Sequence, residues 1–348
     1  EKIEGVGKYI ITAYDYAGNK KEVKFEIKEQ NKVDTVDILK GMQSGWNLGC
    51  SLDIQTEQDT YETSINPYTT KEMINEIKNK GFKTIRIPVS WDYHVDNNYN
   101  INEEYLNRVQ EVVDYGIDNQ MYVILDIHHP KENSDGSSWS DPTNEKMQKA
   151  LNIIEKYWTQ ITERFKDYGS NLIFETLNEP RKRDCSNEEW SIEWNGKEEY
   201  YDVLNEYNAK AIEVIRKVDN NSNRLILIPT YANSANIQAL QAVKIPENSG
   251  NVAVAIHAYS PNTFAFMNEN SNQFNDEVKE NLDNLFENIK NELIEKNISV
   301  VITEYGVTNK VEETERIKYV EYYKKLAEKL NIPCLWWDNG KLEKPFND

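Results

Sequence analysis

The sequence predicts an α/β fold, a (β/α)8 TIM barrel with a short N-terminal β-hairpin appendage and an incomplete last helix. Eight short apolar runs alternate with segments in which apolar residues recur at helical spacing. Apolar strands that alternate with helices are typical of a parallel sheet covered on both faces, and eight such units favour a closed barrel. An open, doubly wound sheet is the alternative architecture.

The first element is a hairpin over residues 8–28, where an apolar run, a turn containing Gly18 and an alternating second strand follow one another. It resembles the last two strands of the small immunoglobulin-like modules that precede catalytic domains in bacterial secreted enzymes. Two strands are only marginally stable alone, so the hairpin packs on the main body, belongs to a truncated module, or is mobile. The domain boundaries that we expect are 1–30 for this remnant, 31–40 for a linker leading into the first helix, and 41–348 for the barrel.

Beyond the hairpin the pattern repeats strand, loop and helix. The expected strands are 44–48, 84–89, 122–127, 172–177, 225–229, 252–257, 300–303 and 334–337. The expected helices are 72–80, 103–118, 144–166, 197–217, 276–295 and 312–330, with a weaker one within 232–243. Eleven residues follow Trp337, too few for a loop and a full eighth helix. We therefore expect that helix to be absent or vestigial, which leaves the face between the first and last strands partly uncovered.

Composition narrows the class of partner. The net charge of −19, from 40 basic and 59 acidic residues, disfavours nucleic acid, although acidity is equally a solubility device. No apolar run approaches 18 residues, so the sequence predicts no membrane-spanning helix. The 8 Trp and 21 Tyr favour surfaces that stack on sugar rings, although aromatic side chains also fill cores.

The three cysteines, Cys50, Cys185 and Cys334, cannot form a full disulfide framework. Cys50 follows the first strand and Cys334 begins the last, so these two strands are neighbours in a closed barrel but the two cysteines lie at different heights. At about 3.3 Å per residue they are roughly 10 Å apart, beyond the reach of a disulfide. We expect all three to remain thiols. The chain opens on Glu1 without a leader segment, which indicates a processed or excised fragment.

Two predicted strands end on a glutamate, Glu179 in the segment LNEP and Glu304 in the segment ITEYG. A charged residue at a strand end is common in proteins of every function, so one such glutamate carries little weight. In a barrel, however, reactive groups collect at the C-terminal strand ends. Two carboxylates at these ends are the smallest set of catalytic groups with which a glycosidase splits a glycosidic bond. The other strand ends also carry polar or aromatic groups, namely Arg86, His128, His129, Asn178, His257, Tyr259 and Trp337.

The motifs around these residues resemble glycoside hydrolase family five of clan A, and most closely its endoglucanase and xyloglucanase subfamily four. The resemblance extends over almost all of residues 41–340. The matching segments are GWNLG at 45–49, TTKEMINEIKNKGFKTIRIPVSW at 69–91, LDIHH at 125–129, LIFETLNEPR at 172–181, HAYSP at 257–261, ITEYG at 302–306 and CLWWDNG at 334–340.

The resemblance implies a retaining mechanism in which Glu304 is the nucleophile and Glu179 the acid/base. A retaining pair needs its carboxyl groups about 5 Å apart, and the fourth and seventh strands lie across a barrel from each other. Glu304 must be ionised to attack the anomeric carbon, so it needs neighbours such as Arg86 and the hydroxyl of Tyr259, which the family pattern supplies. Glu179 must hold a proton when the leaving group departs, which requires a raised pKa.

The resemblance also implies supporting and substrate-binding residues. Asn178 would hydrogen-bond the sugar 2-hydroxyl, or alternatively cap the following loop. His128 and His257 would orient the carboxylates and the sugar, and Trp337 would form the platform beneath the sugar in the cleaved subsite. Candidates further along the cleft are Asn47 and His129 on the non-reducing side and, in two long loops where local packing is the alternative role, Trp139 and Trp194.

The adjacent His128 and His129, with Asp126 two residues before, raise the question of a metal site. Successive strand residues point to opposite faces, and no third ligand is evident nearby in the sequence, so we expect no metal. The glycine-bearing turns lack the strand-to-helix setting of a phosphate loop, so we expect no nucleotide cofactor either.

The function implied by the resemblance is that of a secreted, endo-acting β-1,4-glucanase of the cellulase type that hydrolyses plant cell-wall β-glucans. Specialists for xyloglucan, mixed-linkage glucan (lichenan), xylan or mannan are the alternatives on the same scaffold, and a sugar-binding protein without turnover is a rival of another class. We expect a polysaccharide or oligosaccharide partner, no nucleic acid or membrane partner, and a monomeric catalytic domain within a larger multimodular chain. Two features depart from the family: Cys50 replaces the usual Asn, and the glycine-rich loop and last helix after WWDNG are missing.

Overall fold

The computed structural model describes residues 7–27, 34–58, 62–63, 65–183, 198–266 and 272–338. The chain divides into two compact units, Glu1–Val33 and Asp34–Asp348. In the first unit Gly7–Tyr14 (β1) pairs antiparallel with Lys20–Ile27 (β2), as predicted. Asp15 closes the turn, since its Oδ1 accepts hydrogen bonds from the amides of Ala17 and Asn19 at 2.9 Å. The immunoglobulin-like origin of this hairpin stays a prediction.

The second unit is built on a closed parallel barrel in which each strand pairs with the next along the chain, and the last pairs with the first. This confirms the predicted (β/α)8 fold and excludes the open sheet. The barrel strands are Ser44–Leu48 (β3), Thr84–Ile87 (β4), Tyr122–Asp126 (β5), Leu172–Glu175 (β6), Ile226–Ser234 (β7), Val252–His257 (β8), Val300–Tyr305 (β9) and Cys334–Asp338 (β10).

Helices alternate with these strands, and several begin at a polar side chain that caps the first turn, such as Asn102, which accepts from the amide of Tyr105 at 3.0 Å. The helices within the described ranges are Thr35–Met42 (α1), Lys71–Asn79 (α2), Glu103–Asp118 (α3), Asn144–Phe165 (α4), Glu198–Val218 (α5), Ile237–Ala242 (α6), Asn262–Ala265 (α7), Asp276–Glu292 (α8) and Glu313–Lys329 (α9). In the part of the chain that the structure describes, no helix is both long and apolar enough to cross a membrane.

The weaker helix predicted within 232–243 is shorter than expected. Residues 232–234 extend strand β7, and the helix occupies only Ile237–Ala242. Ala232 and Asn233 have positive φ angles of 53° and 50°, a backbone conformation that cannot continue a helix. The helix instead starts at Asn236, whose side chain accepts from the amide of Gln238.

Alternation along the strands separates two apolar layers. On β5, Val123 and Leu125 belong to the large cluster that packs the barrel against its helices, whereas Ile124 is buried outside that cluster. The same alternation turns the last residue of this strand, Asp126, inward with no exposed surface. The C-terminal end of the barrel therefore closes with polar side chains above an apolar interior.

The cysteine prediction is confirmed for the two described cysteines. Cys334 pairs in register with Ser44, six residues before Cys50, and no disulfide joins the two. Cys185 lies outside the described residues. So do residues 339–348, where the last helix is predicted to be absent or vestigial.

Candidate active site

A fully buried arginine lies at the centre of the polar layer. Arg86, on β4, contacts three carboxylates: its Nε lies 2.6 Å from Glu175, its Nη1 2.7 Å from Glu304, and its Nη2 2.8 Å from Asp126. Burial alone would lower the pKa of Arg86, but the three carboxylates raise it well above its ordinary value. The guanidinium therefore stays charged and holds three strand ends together.

Two asparagines complete the shell around Arg86. Its Nη1 donates to Oδ1 of Asn47 at 3.1 Å, and its Nη2 donates to Oδ1 of Asn178 at 2.7 Å. Asn47 in turn donates to the carbonyl of Thr303 at 2.9 Å and has no exposed surface. Asn47, on β3, therefore helps to position Arg86, and its predicted contact with the sugar stays a prediction.

Both oxygens of Glu304 are held. Oε1 faces Arg86, and Oε2 accepts a hydrogen bond from the hydroxyl of Tyr259 at 2.8 Å. Burial raises the pKa of Glu304, and the charges of His257 and Arg86 together with the Tyr259 bond offset that rise only in part. The neighbours that the resemblance implies for this carboxylate are thus present at hydrogen-bonding distance.

Glu179 follows β6 in a left-handed backbone conformation, with φ of 45°. Such a conformation costs on the order of 1–3 kcal/mol in a residue with a side chain, so neighbouring groups must hold it. The amide of Glu179 donates to Oδ1 of Asn233 at 2.6 Å, and the amide of Ala232 donates to the carbonyl of Pro180 at 2.9 Å. The irregular end of β7 therefore sets the direction of the Glu179 side chain.

His257 connects the two glutamates. Its Nδ1 lies 2.8 Å from Oε1 of Glu179, and its Nε2 lies 3.4 Å from Oε1 of Glu304 without hydrogen-bond geometry. A register shift between β8 and β9 places His257 directly opposite Glu304. One oxygen of each glutamate and one nitrogen of His257 all lie within 4.8 Å of one another.

The resting protonation differs from the prediction of a raised pKa for Glu179. Burial alone would raise it, but the hydrogen bond with His257 and the charges of His257 and Arg181 lower it to about 2. Burial would likewise lower the pKa of His257, but the charge of Glu304 and the bond with Glu179 raise it. The pair therefore holds one proton across a 2.8 Å contact, with His257 as its resting place.

Two histidines and a tryptophan line the floor beside this pair. Nδ1 of His128 contacts Oδ2 of Asp126 at 2.8 Å, which fixes the imidazole tautomer. The rings of His128 and Trp337 are nearly parallel, with centroids 5.9 Å apart, and His129 packs edge-on against His128 at 4.3 Å. Trp337 approaches the backbone at Gly49, where an added Cβ would lie 2.8 Å from the indole. Burial lowers the pKa of both histidines, which leaves them neutral.

Of the two predicted loop tryptophans, the structure describes only Trp139. Trp139 is only 7% exposed; its indole N–H donates to Oδ2 of Asp92 at 2.6 Å and its ring packs on Tyr157. This packing favours the local role that the sequence left open for Trp139, and its sugar-stacking role stays a prediction. Trp194 lies outside the described residues.

Replacing Trp139 by phenylalanine is expected to destabilise the fold by about 1–3 kcal/mol, because it removes a donor from the buried Asp92 carboxylate. The Michaelis constant for a glucan should stay unchanged. Urea unfolding and steady-state kinetics measure the two effects. The matched change Trp337→Ala should show the reverse pattern, with a raised Michaelis constant and a smaller loss of stability. A raised Michaelis constant in Trp139→Phe with unchanged stability would return this residue to the cleft.

Sequence reasoning misses Glu175 and Asn233 as contributors to the site. Glu175 directly follows three apolar strand residues, which is a signal for a buried ion pair, and its partner proves to be Arg86. Asn233 gives no local signal, because its role depends on the irregular end of β7 and on a contact with Glu179 from another part of the chain.

Comparison with known proteins identifies the family of this chain. The family model for cellulases of glycosyl hydrolase family 5 matches residues 51–343. Endoglucanase A of Clostridium longisporum is 42% identical over 332 residues, which are 91% of this chain and 62% of that protein. Endoglucanase A of Ruminococcus albus is 40% identical over 324 residues, which are 90% of this chain and 85% of that protein. The chain thus spans less than two thirds of the first of these relatives.

Solved structures give the same result. A GH5-4 broad specificity endoglucanase from Clostridium acetobutylicum is 40% identical, with a TM-score of 0.83 over 90% of this chain and 93% of that chain. A xyloglucan-specific endo-beta-1,4-glucanase from a metagenomic library, solved in complex with cellotriose, is 34% identical, with a TM-score of 0.82 over 89% of this chain and 91% of that chain. The chain therefore belongs to glycosyl hydrolase family 5, the family that its strand-end motifs predict.

Proposed function

We propose that the protein is a retaining, endo-acting β-1,4-glucanase that hydrolyses plant cell-wall β-glucans by double displacement. The observation that carries this proposal is the spacing of the two glutamates, whose nearest ligand oxygens lie within 4.8 Å. Retaining enzymes separate their carboxyl groups by about 5–5.5 Å, whereas inverting enzymes need about 6.5–9.5 Å to fit a water molecule between carboxylate and sugar. The short spacing supports direct attack by a carboxylate.

In the first step Glu304 attacks the anomeric carbon as the bond to the leaving oxygen breaks. A covalent ester then joins Glu304 to the sugar. Arg86 and Tyr259, which hold the two carboxylate oxygens at 2.7 and 2.8 Å, orient the nucleophile before attack. Asn178, fixed by Arg86, presents its remaining amide group to the sugar 2-hydroxyl.

The proton for the leaving group comes from the pair formed by Glu179 and His257. Transfer of that proton from Nδ1 to Oε1, two atoms that lie 2.8 Å apart, produces the protonated carboxyl group that donates to the departing oxygen. In the second step Glu179 takes a proton from the water that attacks the ester. The water oxygen replaces Glu304 at the anomeric carbon, and Glu179 passes its proton back to Nδ1 of His257, so that both glutamates return to their starting state.

Sugar binding is assigned to the aromatic floor of the cleft. Trp337 offers a flat ring beside the catalytic pair, with His128 and His129 next to it. Phe266 is 48% exposed, and its ring lies 5.3 Å from that of Tyr259, which makes it a further stacking surface that sequence reasoning misses. We also propose that the enzyme is secreted, because a polymeric cell-wall substrate is met outside the cell. Its catalytic domain is proposed to be monomeric.

The preferred glucan is tested by reducing-end release from carboxymethylcellulose, xyloglucan, lichenan, xylan and mannan. A cellulase-type enzyme should be most active on the β-1,4-glucans, and preference for mannan would contradict the proposal. A xyloglucan specialist is the second candidate, since one structural neighbour with a TM-score of 0.82 is such an enzyme. The variant Glu179→Gln is the control for turnover, because a sugar-binding protein would give the same background rate in both forms.

The pH profile of kcat/KM is expected to be bell-shaped, with its acid limb above pH 4.5. Glu304 must be ionised, and since its pKa is raised from 4.5, activity is lost as the pH falls through that raised value. The basic limb should lie above pH 6.5, because His257, which holds the shared proton, has a raised pKa. Tyr259→Phe removes a bond that lowers the pKa of Glu304, so it should move the acid limb to higher pH. An acid limb that stays in place or moves lower would contradict this assignment.

A further inference from the structure

A second group of side chains, close to Glu179 and Glu304, has the composition of a metal site. One ligand atom each from Asp53, His128 and His129 lies within 4.8 Å of the other two. Asp53 and His128 are buried, and His129 is half-buried. The sequence offered no third ligand near the two histidines, but the fold supplies Asp53 from the loop after β3. The reason for expecting no metal here is therefore removed.

His128 is prepared as a ligand by the residues behind it. Its Nδ1 contacts Oδ2 of Asp126 at 2.8 Å, and Asp126 is itself fixed by Arg86 at 2.8 Å and by the amide of Val89 at 3.0 Å. The imidazole is thus oriented with Nε2 as its remaining ligand atom. A carboxylate that holds the far nitrogen of a histidine is the usual arrangement behind a metal-binding imidazole.

Asp53 contributes a carboxylate without a cationic partner. Its Oδ1 accepts a hydrogen bond from the amide of Ser51 at 2.8 Å, and the residue is 5% exposed. Among the residues that the structure describes, neither lysine nor arginine forms an ion pair with it. Because an unpaired buried carboxylate is costly, a cation bound here would offset part of that cost.

The neighbouring group of Glu179, His257 and Glu304 offers the same number of ligand atoms but is already occupied by protein charges. Oε1 of Glu304 faces the guanidinium of Arg86 at 2.7 Å, and Nδ1 of His257 faces Glu179 at 2.8 Å. A metal ion there must displace the shared proton and approach the arginine. A metal ion bound by Asp53, His128 and His129 displaces no shared proton, and none of these three ligands is paired with an arginine that the structure describes.

We propose that Asp53, His128 and His129 bind a divalent transition-metal cation such as Zn²⁺, which blocks the substrate cleft. Two imidazoles and one carboxylate suit Zn²⁺, Ni²⁺ or Cu²⁺ better than the oxygen-seeking Mg²⁺ or Ca²⁺. A tetrahedral ion with ligands at 2.0–2.1 Å needs them about 3.4 Å apart, so shifts of roughly an ångström among the three side chains complete the site. Because His128 lies against Trp337, the bound ion occupies space that the sugar needs.

Calorimetric titration with Zn²⁺ tests the binding site directly. We expect one ion per chain in the parent protein, and an affinity at least about tenfold weaker in both Asp53→Asn and His129→Gln, since each removes one ligand. The matched variant Glu179→Gln should lose less affinity than either of these, because it removes a neighbouring charge but none of the three ligands. Circular dichroism confirms that each variant is folded. The proposal is overturned if Glu179→Gln loses the ion while Asp53→Asn keeps it, or if the parent binds no better than Asp53→Asn.

Steady-state kinetics test the blocking effect. Zn²⁺ should raise the apparent Michaelis constant linearly with its concentration and leave kcat unchanged, and a chelator should reverse the effect. A fall in kcat at constant Michaelis constant would contradict a competitive site. The calorimetric experiment needs no turnover, so a failure of the proposed glucanase activity and a failure of the metal site give separate results.

Discussion

Replacing Glu304 by alanine is expected to lower kcat on a β-1,4-glucan by at least about 10⁴-fold, because the variant has no carboxylate to form the glycosyl ester. The loss should appear in kcat rather than in the Michaelis constant, since the sugar platform at Trp337 is untouched. Stability should change little or rise, because one of three carboxylates around Arg86 is removed and the other two remain. Initial rates and urea unfolding measure these effects.

A chemical rescue separates the loss of a nucleophile from general damage. On an activated aryl glycoside, azide can occupy the space left by the carboxylate and attack the anomeric carbon, which gives a glycosyl azide of inverted configuration. We expect azide to restore part of the turnover of Glu304→Ala and to leave the parent unaffected. Glu313→Ala, at an exposed glutamate in the first turn of α9, is the matched control and should behave as the parent. Substantial activity in Glu304→Ala without azide would contradict its role.

Replacing Arg86 by methionine is expected to damage both stability and activity. The change leaves Glu175, Asp126 and Glu304 buried without their common cation, and removing one partner of a buried ion pair typically costs about 3–5 kcal/mol. It also removes an interaction that lowers the pKa of Glu304, so the acid limb of the pH profile should move to higher pH. Urea unfolding and the pH dependence of kcat/KM report the two effects.

Arg86→Lys is the matched control, because it keeps the charge but cannot reproduce the planar set of contacts. It should lose less stability than Arg86→Met and should move the acid limb in the same direction by a smaller amount. If Arg86→Met unfolds at the same urea concentration as the parent, the three carboxylates do not depend on this arginine and the account of the site is wrong.

Much of the barrel is predictable because its strands are short apolar runs with clear ends. The strands 44–48 and 252–257 match Ser44–Leu48 and Val252–His257 residue for residue. The failure at residues 232–234 has a physical cause, since the backbone there adopts positive φ angles that hold Glu179 in place. Local apolar spacing carries no information about a contact with another strand.

The members of the site are predictable in the same way, but their surroundings are not. Strand ends identify Glu179, Glu304 and Arg86, because a barrel brings these positions to one face. Whether a side chain reaches the cleft depends on how neighbouring strands and loops enclose it, and this places Asn47 and Trp139 inside the protein. The same packing brings Asp53 to the two histidines from a distant part of the sequence.

The central claim is that Glu304 forms a covalent bond with the sugar. Incubation with a 2-deoxy-2-fluoro-β-cellobioside carrying a good leaving group, followed by mass spectrometry of the intact chain and of its peptides, tests this claim most directly. The fluorine slows hydrolysis of the ester, so the account predicts one label per chain, attached to Glu304, together with loss of activity. A label on Glu179, or turnover of natural glucan with no label on Glu304, would contradict the account.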